Sequence, residues 1–186
     1  HLTSAIEIKN IAIYNNLART GGGIFISGGD SKFTNIRLTN NIGGGAYITY
    51  SVSTFTNAVI QGNRTNPNDA GNFGTNGGGI YSSQGIVAQN CLITGNTAHK
   101  LGGGIYFQGL SSKSLTNVTI SGNYAGEEGG GVYAAASVLT LQNTVIVGND
   151  APLNKGLVEN AGVTVVKYSF IEGRTDISKG NINGTS

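Results

Sequence analysis

The sequence predicts an all-β fold, a right-handed parallel β-helix of about seven coils. Three observations predict it. A glycine phrase, clearest as Gly102-Gly103-Gly104-Ile105-Tyr106, returns at Gly21–Phe25, Gly43–Tyr47, Gly77–Tyr81 and Gly129–Tyr133. A second phrase, clearest as Leu115-Thr116-Asn117-Val118-Thr119-Ile120-Ser121-Gly122-Asn123, alternates with it in fixed order. Apolar residues within the second phrase follow a period of two, the pattern of short half-buried strands. Two phrases in fixed order at a spacing of a few tens of residues mean a solenoid.

Each turn is counted from the first Asn of the second phrase. These residues are Asn10, Asn35, Asn57, Asn90, Asn117 and Asn143, with Tyr168 in a degenerate seventh copy; the spacings are 25, 22, 33, 27, 26 and 25. The first strand of a turn precedes this Asn, and its inward residue lies two positions back: Ile8, Phe33, Phe55, Ala88, Leu115, Leu141, Val166. The second strand follows it. Its inward residues lie one position on (Ile11, Ile36, Ala58, Cys91, Val118, Thr144, Ser169) and three on (Ile13, Leu38, Ile60, Ile93, Ile120, Ile146, Ile171). The alternation slips at the Asn, so the chain bends there.

A second Asn column follows six residues later: Asn16, Asn41, Asn63, Asn96, Asn123 and Asn149, with Arg174 in the last copy. Asn and Gly tolerate left-handed backbone at corners. An amide carries two donors and an acceptor, so identical Asn side chains can bond coil over coil. Both columns therefore read as structural ladders. Asn63-Arg64-Thr65, Asn117-Val118-Thr119 and Asn183-Gly184-Thr185 match the glycosylation sequon, but two of the three Asn belong to ladders.

The glycine phrase opens the third strand. Three glycines are costly in a strand, so tight turning and close backbone approach must require them. Ile24, Ala46, Ile80, Ile105, Val132 and Leu157 then point inward. Their neighbours Phe25, Tyr47, Tyr81, Tyr106 and Tyr133 must point outward, because successive strand residues face opposite ways. The aromatic stripe is the one candidate ligand-binding site that pattern yields, a platform for sugar rings beside the glycine strip. The competing reading is a cross-strand ladder supporting the sheet.

Departures from the repeat fall in three places. The junction Arg64 to Asn76 carries the longest insertion, and insertions in solenoids often bind. The last two copies decay, keeping only Gly156 and Gly180 of the glycine triplet. Neither His1–Ser4 nor Asn181–Ser186 resembles a cap. The chain opens on His1 inside a repeat and stops in mid-repeat. It thus reads as one β-helix segment, 1–186, of a longer protein whose ends meet further coils or further copies.

Composition excludes several classes. The eleven Lys and Arg are scattered and the formal net charge is +2, which gives no basic stripe for nucleic acid. No apolar run approaches the ~20 residues of a membrane span. A single cysteine, Cys91, rules out an internal disulfide and sits in an inward column as a space-filling thiol. The nine acidic residues form no column of the kind that holds calcium or performs acid–base chemistry. Glu127 follows Lys100 by one coil, which suggests a surface ion pair. His1 and His99 are far apart, so neither metal nor cofactor is expected. Asn66, Asn68, Asp69 and Asn72 in the insertion read as a solvated loop.

The paired phrases resemble the repeat of the chlamydial polymorphic outer membrane proteins, a glycine pair followed by an aliphatic residue, with Phe-x-x-Asn. Gly22-Gly23-Ile24, Gly78-Gly79-Ile80 and Gly103-Gly104-Ile105 carry the first motif; Ile60-Gln61-Gly62-Asn63, Ile93-Thr94-Gly95-Asn96 and Ile120-Ser121-Gly122-Asn123 carry the second. Ile stands where that repeat has Phe, so the chain is similar to the wider group of bacterial secreted β-helix proteins with such repeats. The match spans about residues 10 to 150. It implies a non-enzymatic, adhesin-like scaffold or stalk, extracellular or on the cell surface, with glycans or host and cell-surface proteins as partners. The alternative is a carbohydrate-active β-helix, a lyase or glycosidase, whose catalytic residues lie outside these 186.

Overall fold

The computed structural model describes residues 5–68, 74–175 and 178–185. They form a parallel β-solenoid of six complete turns, with two strands of a seventh. One turn shows the plan: Ser31–Thr34, a corner at Asn35, Arg37–Thr39, a second corner, then Ala46–Thr49. In two later turns the first and second strands run on as Ile86–Thr94 and Ser112–Ser121. Every pairing is parallel and joins one turn to the next. Twelve strands build the first two faces and six build the third, which runs from Ile24–Ser27 to Leu157–Asn160. Thr97–Ala98 and Tyr124–Ala125 add a short pair between the second and third faces.

The corners explain the Asn and Gly signature. Asn10, Asn35, Asn57, Asn90, Asn117 and Asn143 all have left-handed backbone, with φ between 49° and 57°. Tyr168 adopts the same conformation in the seventh turn, with φ 50°. Only Gly and, at lower cost than other residues, Asn visit that region routinely. The second corner uses Asn15 and Asn40, then Gly62, Gly95, Gly122, Gly148 and Gly173, again left-handed throughout.

The two Asn columns do different things. At the exposed first corner each Nδ2 reaches back to the Oδ1 one turn earlier: Asn35 to Asn10, Asn57 to Asn35, Asn90 to Asn57, Asn117 to Asn90 and Asn143 to Asn117, at 3.0–3.2 Å. The second column points inward. There Asn123 Oδ1 accepts from both the backbone N–H and the Nδ2 of Asn96, each at 2.9 Å. Asn123 Nδ2 donates to Ile93 O and to Asn149 Oδ1. Asn41, Asn63 and Asn96 repeat this four-bond arrangement, and all three are fully buried. An amide in this position uses every donor and a doubly engaged oxygen, so its burial leaves no orphan.

The glycine triplet is the steric counterpart of that ladder. A Cβ on Gly104 would lie 2.6 Å from Gly131 O and 3.1 Å from Asn123 Nδ2. One on Gly103 would run into the carbonyls of Tyr124 and Gly130. Gly102 is left-handed, with φ 66°. The backbone of one turn thus lies directly on the backbone of the next and on the amide ladder.

The core is a single column of apolar side chains. Phe33, Phe55, Leu115, Leu141, Ile93, Ile120, Ile80 and Ile105 are all fully buried, as the alternation requires. Phe33 and Phe55 stack with centroids 4.9 Å apart. At the first turn Ile11 is 41% exposed, because no described coil lies outside it. Cys91 is buried against Phe55 O and Gln89 O, and burial pushes its thiol pKa up, which suits an inert space-filler. Lys113 is not foreseen by any column. It points inward at the level of Ser53 and Leu139, and its Nζ donates to the carbonyls of Gln108, Gly109 and Ser111 at 2.6–3.1 Å, closing the corner after the third strand. Burial lowers its pKa to about 8.

The last turn corrects the sequence reading. Gly180 is not a remnant of the glycine triplet. Tyr168 N–H donates to Lys179 O, and Ile182 bridges Phe170, so Gly180 occupies the first-corner position. Among the described residues no third strand follows Arg174, and residues 178–185 lie across the seventh turn. Asn181 is buried, accepting from Ser169 N–H and donating to Val166 O. The segment therefore covers the second face, a role its composition does not reveal. Of the sequons, Asn63 is fully buried with its amide spent, and Asn117 is tied into the outer ladder. In the insertion, Asn66 Nδ2 donates to Ala18 O in the first turn; Asp69 and Asn72 fall outside the described residues.

Two glycines separate corner from contact. Gly122 is left-handed, but a Cβ there meets nothing closer than 3.8 Å. Gly122→Ala is expected to cost about 1–2 kcal/mol, the left-handed penalty alone. Gly104→Ala, which drives a methyl into backbone, is expected to cost more than Gly122→Ala by at least about 1–3 kcal/mol. Equilibrium urea unfolding of the two variants checks the order.

Candidate functional site

The outward stripe of the third face is assembled as the alternation requires. Phe25, Tyr47, Tyr81, Tyr106 and Tyr133 are direct partners in successive strands. Their rings stack, with centroids 5.5, 4.4, 5.3 and 5.6 Å apart and planes within 14° of parallel. This stacking fixes what the stripe offers. The faces of the middle rings are spent on each other, so the stripe presents edges and hydroxyls outward. Tyr47, Tyr81, Tyr106 and Tyr133 are only 4–8% exposed, whereas Phe25, at the end of the stack, is 54% exposed. Leu101, Val158 and Ala135 close over the Tyr106–Tyr133 end. Asn160 Nδ2 donates to the Tyr133 hydroxyl at 2.8 Å.

The Phe25 end is open. A cleft of about 880 Å³ lies over Phe25, Tyr47 and Tyr81, with the exposed Tyr50 among its walls. Its polar groups come from the corners flanking the third face: Arg19 and Thr20 before it, Ser83, Gln84 and Gln108 at its far end. Two of these are held in place. The Tyr81 hydroxyl donates to Gln108 Oε1 and the Ser111 hydroxyl donates to Gln84 Oε1, both at 2.7 Å. Tyr50 stands at a corner with φ 53°. Sequence pattern finds the aromatic floor but not these walls, because corner residues do not recur from turn to turn.

Burial raises the pKa of Tyr81 and Tyr106 above the ordinary phenol value; for Tyr81 the neighbouring Tyr47 adds to the effect, and for Tyr106 the flanking Tyr81 and Tyr133 do. A phenolate in this stack would lose solvation and meet a neighbouring phenol.

Six of the described acidic residues bond within the scaffold. Glu159 takes both carboxylate oxygens to Arg174 Nη1 at 3.1 Å, Asp150 pairs with Lys155, and Glu7 with Lys9. Glu128 accepts from Asn154, Glu172 from Gly148 N–H and Asp30 from Val52 N–H. Glu127 N–H bonds to Lys100 O as the one-turn register demands, yet among the described residues no ion pair joins their side chains. No group of three or more His, Cys, Asp or Glu placed to hold a metal occurs among the described residues. No helix among them is long and apolar enough to cross a membrane.

The family model described as the right handed beta helix region matches residues 2–178. No curated protein and no solved structure matches the chain.

The buried phenols make stability fall with alkali. Unfolded tyrosines ionise near pH ~10, while Tyr81 and Tyr106 hold their protons to higher pH in the fold. The unfolded chain then binds fewer protons, so their contribution is intact below pH ~10 and is lost as pH rises through the folded values. Urea unfolding at a series of pH values above ~9 is expected to show this decline, and Tyr81→Phe is expected to make it shallower.

Proposed function

The chain belongs to the right-handed β-helix family, and from that premise we propose that it is an adhesin-like binding scaffold of a bacterial surface or secreted protein. Its ligand is a glycan, held in the cleft over Phe25, Tyr47 and Tyr81. The observation that carries this reading is the open end of the aromatic stack. Phe25 offers a free ring face, and the hydroxyl, amide and guanidinium groups around it are the kind that orient a sugar. The rigid solenoid beneath supports the reading, because a site on fixed strands needs no ordering on binding. The repeat phrases, which resemble those of bacterial secreted β-helix proteins, support the extracellular setting. Tyr106 and Tyr133 take a supporting part, extending the stack that holds Tyr81 in place.

A glycan array followed by titration of the best ligand tests the reading. Phe25→Ala is expected to weaken binding by about tenfold with little change in melting temperature, since it removes one exposed stacking face. Tyr106→Ala is expected to cost about 3–5 kcal/mol of stability instead. A protein that binds no glycan, or whose binding is untouched by Phe25→Ala, would overturn the proposal.

A further inference from the structure

We infer that Lys113 is a positioning residue for the cleft: its buried ammonium group clamps the corner 108–111 from the core side, so holding Gln108 and Gln84 at the cleft wall, and loss of its proton loosens them. This concerns the shape of the wall and holds whatever the cleft binds. Lys113 Nζ donates to Gln108 O, Gly109 O and Ser111 O at 3.1, 2.6 and 2.8 Å. The three bonds use every donor that an ammonium has. The same corner carries both amide contacts of the wall. Gln108, at its start, accepts the Tyr81 hydroxyl on Oε1, and Ser111, at its end, donates to Gln84 Oε1 in the turn before. Gln84, Gln108 and Gly109 all line the cleft. One buried cation thus sets the backbone from which two wall side chains are held.

A neutral group would serve if only the fold were at stake. The corresponding corners of other turns are tied by hydroxyls: Ser51 donates to Gly29 O, Ser82 to Gln84 O and Ser137 to Ala135 O. Lys113, by contrast, is 1% exposed, and among the described residues no carboxylate pairs with it. A buried charge held by carbonyl dipoles alone is costly. What the ammonium adds is a third donor and a dependence on pH. Burial lowers its pKa to about 8. A neutral amine has only two N–H groups to offer three carbonyls, so above that pH one carbonyl is let go. The strands packed on Lys113 supply no competing charge. Ile86 and Leu139 flank it in the sheet. The titratable side chains on the neighbouring strands are Cys91, which lies beyond the first corner level with Val118, and Tyr81, Tyr106 and Tyr133, whose stack faces outward. None of these strands carries Asp, Glu, Arg or a second Lys.

The test follows carbon NMR signals of the free, isotopically labelled chain from about pH 6 to about pH 10, a range in which an unperturbed lysine only begins to titrate. Lys113 Cε reports its own ionisation, and the side-chain carboxamide carbons of Gln84 and Gln108 report the wall. All of these signals are expected to shift together, with a midpoint near pH 8. Lys113→Met keeps the apolar stem and removes the charge. It is expected to abolish both glutamine transitions and to hold the two signals at their high-pH positions throughout. Lys113→Leu, which places at this level the residue that the next turn carries there, gives the same readout should the Met variant fold poorly. The inference is overturned by glutamine signals that stay still while Lys113 ionises, by glutamine transitions that persist in either variant, or by a Lys113 that keeps its proton up to pH ~10. The readout needs no ligand, so it is separate from the glycan reading. An array without a bound glycan removes the proposed function and leaves the clamp, and a silent titration does the reverse.

Discussion

The structure depends on one interaction, the inward amide ladder from Asn16 to Asn149. Each member from Asn41 to Asn123 bonds forward to the next through two donors and sideways to a strand carbonyl. A slip of one residue would leave buried amides without partners, so the ladder sets the register of every turn on the one below. The other features of the repeat follow from it. The amide must approach the neighbouring backbone closely, so glycine is required where the third strand begins. The chain must turn sharply on either side of it, so left-handed Asn and Gly occupy the corners. Burial of Ile, Leu and Phe supplies the driving force, but apolar contact is non-directional and fixes no register of its own.

A scaffold so constrained has few places to vary. Strand interiors and the glycine strip are committed to stacking, and ladder residues cannot change without orphaning neighbours. Variation is left to the corners and to the outer faces. The cleft arises there. Arg19, Tyr50, Gln84 and Gln108 are corner or strand-end residues set around an aromatic floor that the repeat itself produces. Substitutions in the corners can therefore change the chemistry of the cleft without disturbing the coil.

Much of this was legible in the sequence because the repeat reports the same constraint many times. The inward columns, the bends at Asn10 through Asn143 and the outward stripe from Phe25 to Tyr133 all follow from alternation and recurrence. Features that occur once were not legible. Lys113 occupies an inward position that is Ser53 or Leu139 in other turns, and only three converging carbonyls explain its burial. Gly180 looked like a remnant of the triplet, yet it forms a first corner, because the chain shortens its last turn and pattern cannot see an omission. The stripe was placed correctly, but alternation says which way a ring points and not how it is tilted. Stacking spends the ring faces of the four tyrosines on their neighbours and leaves Phe25 as the open one.

The most direct measurement of the central claim compares the two ladders within one turn. Asn90 is exposed and its amide makes bonds that water can replace, whereas Asn96 is fully buried and makes bonds that water cannot. Urea unfolding of Asn90→Ala and Asn96→Ala gives their costs side by side. Asn90→Ala should lose about 1–2 kcal/mol, mostly for placing Ala in left-handed backbone. Asn96→Ala should lose at least about 3 kcal/mol, because Asn63 N–H, Ile60 O and Asn123 Oδ1 are each left short of a partner in the interior. Equal losses, or a larger one at Asn90, would show that apolar packing alone holds the turns in register and would contradict the account.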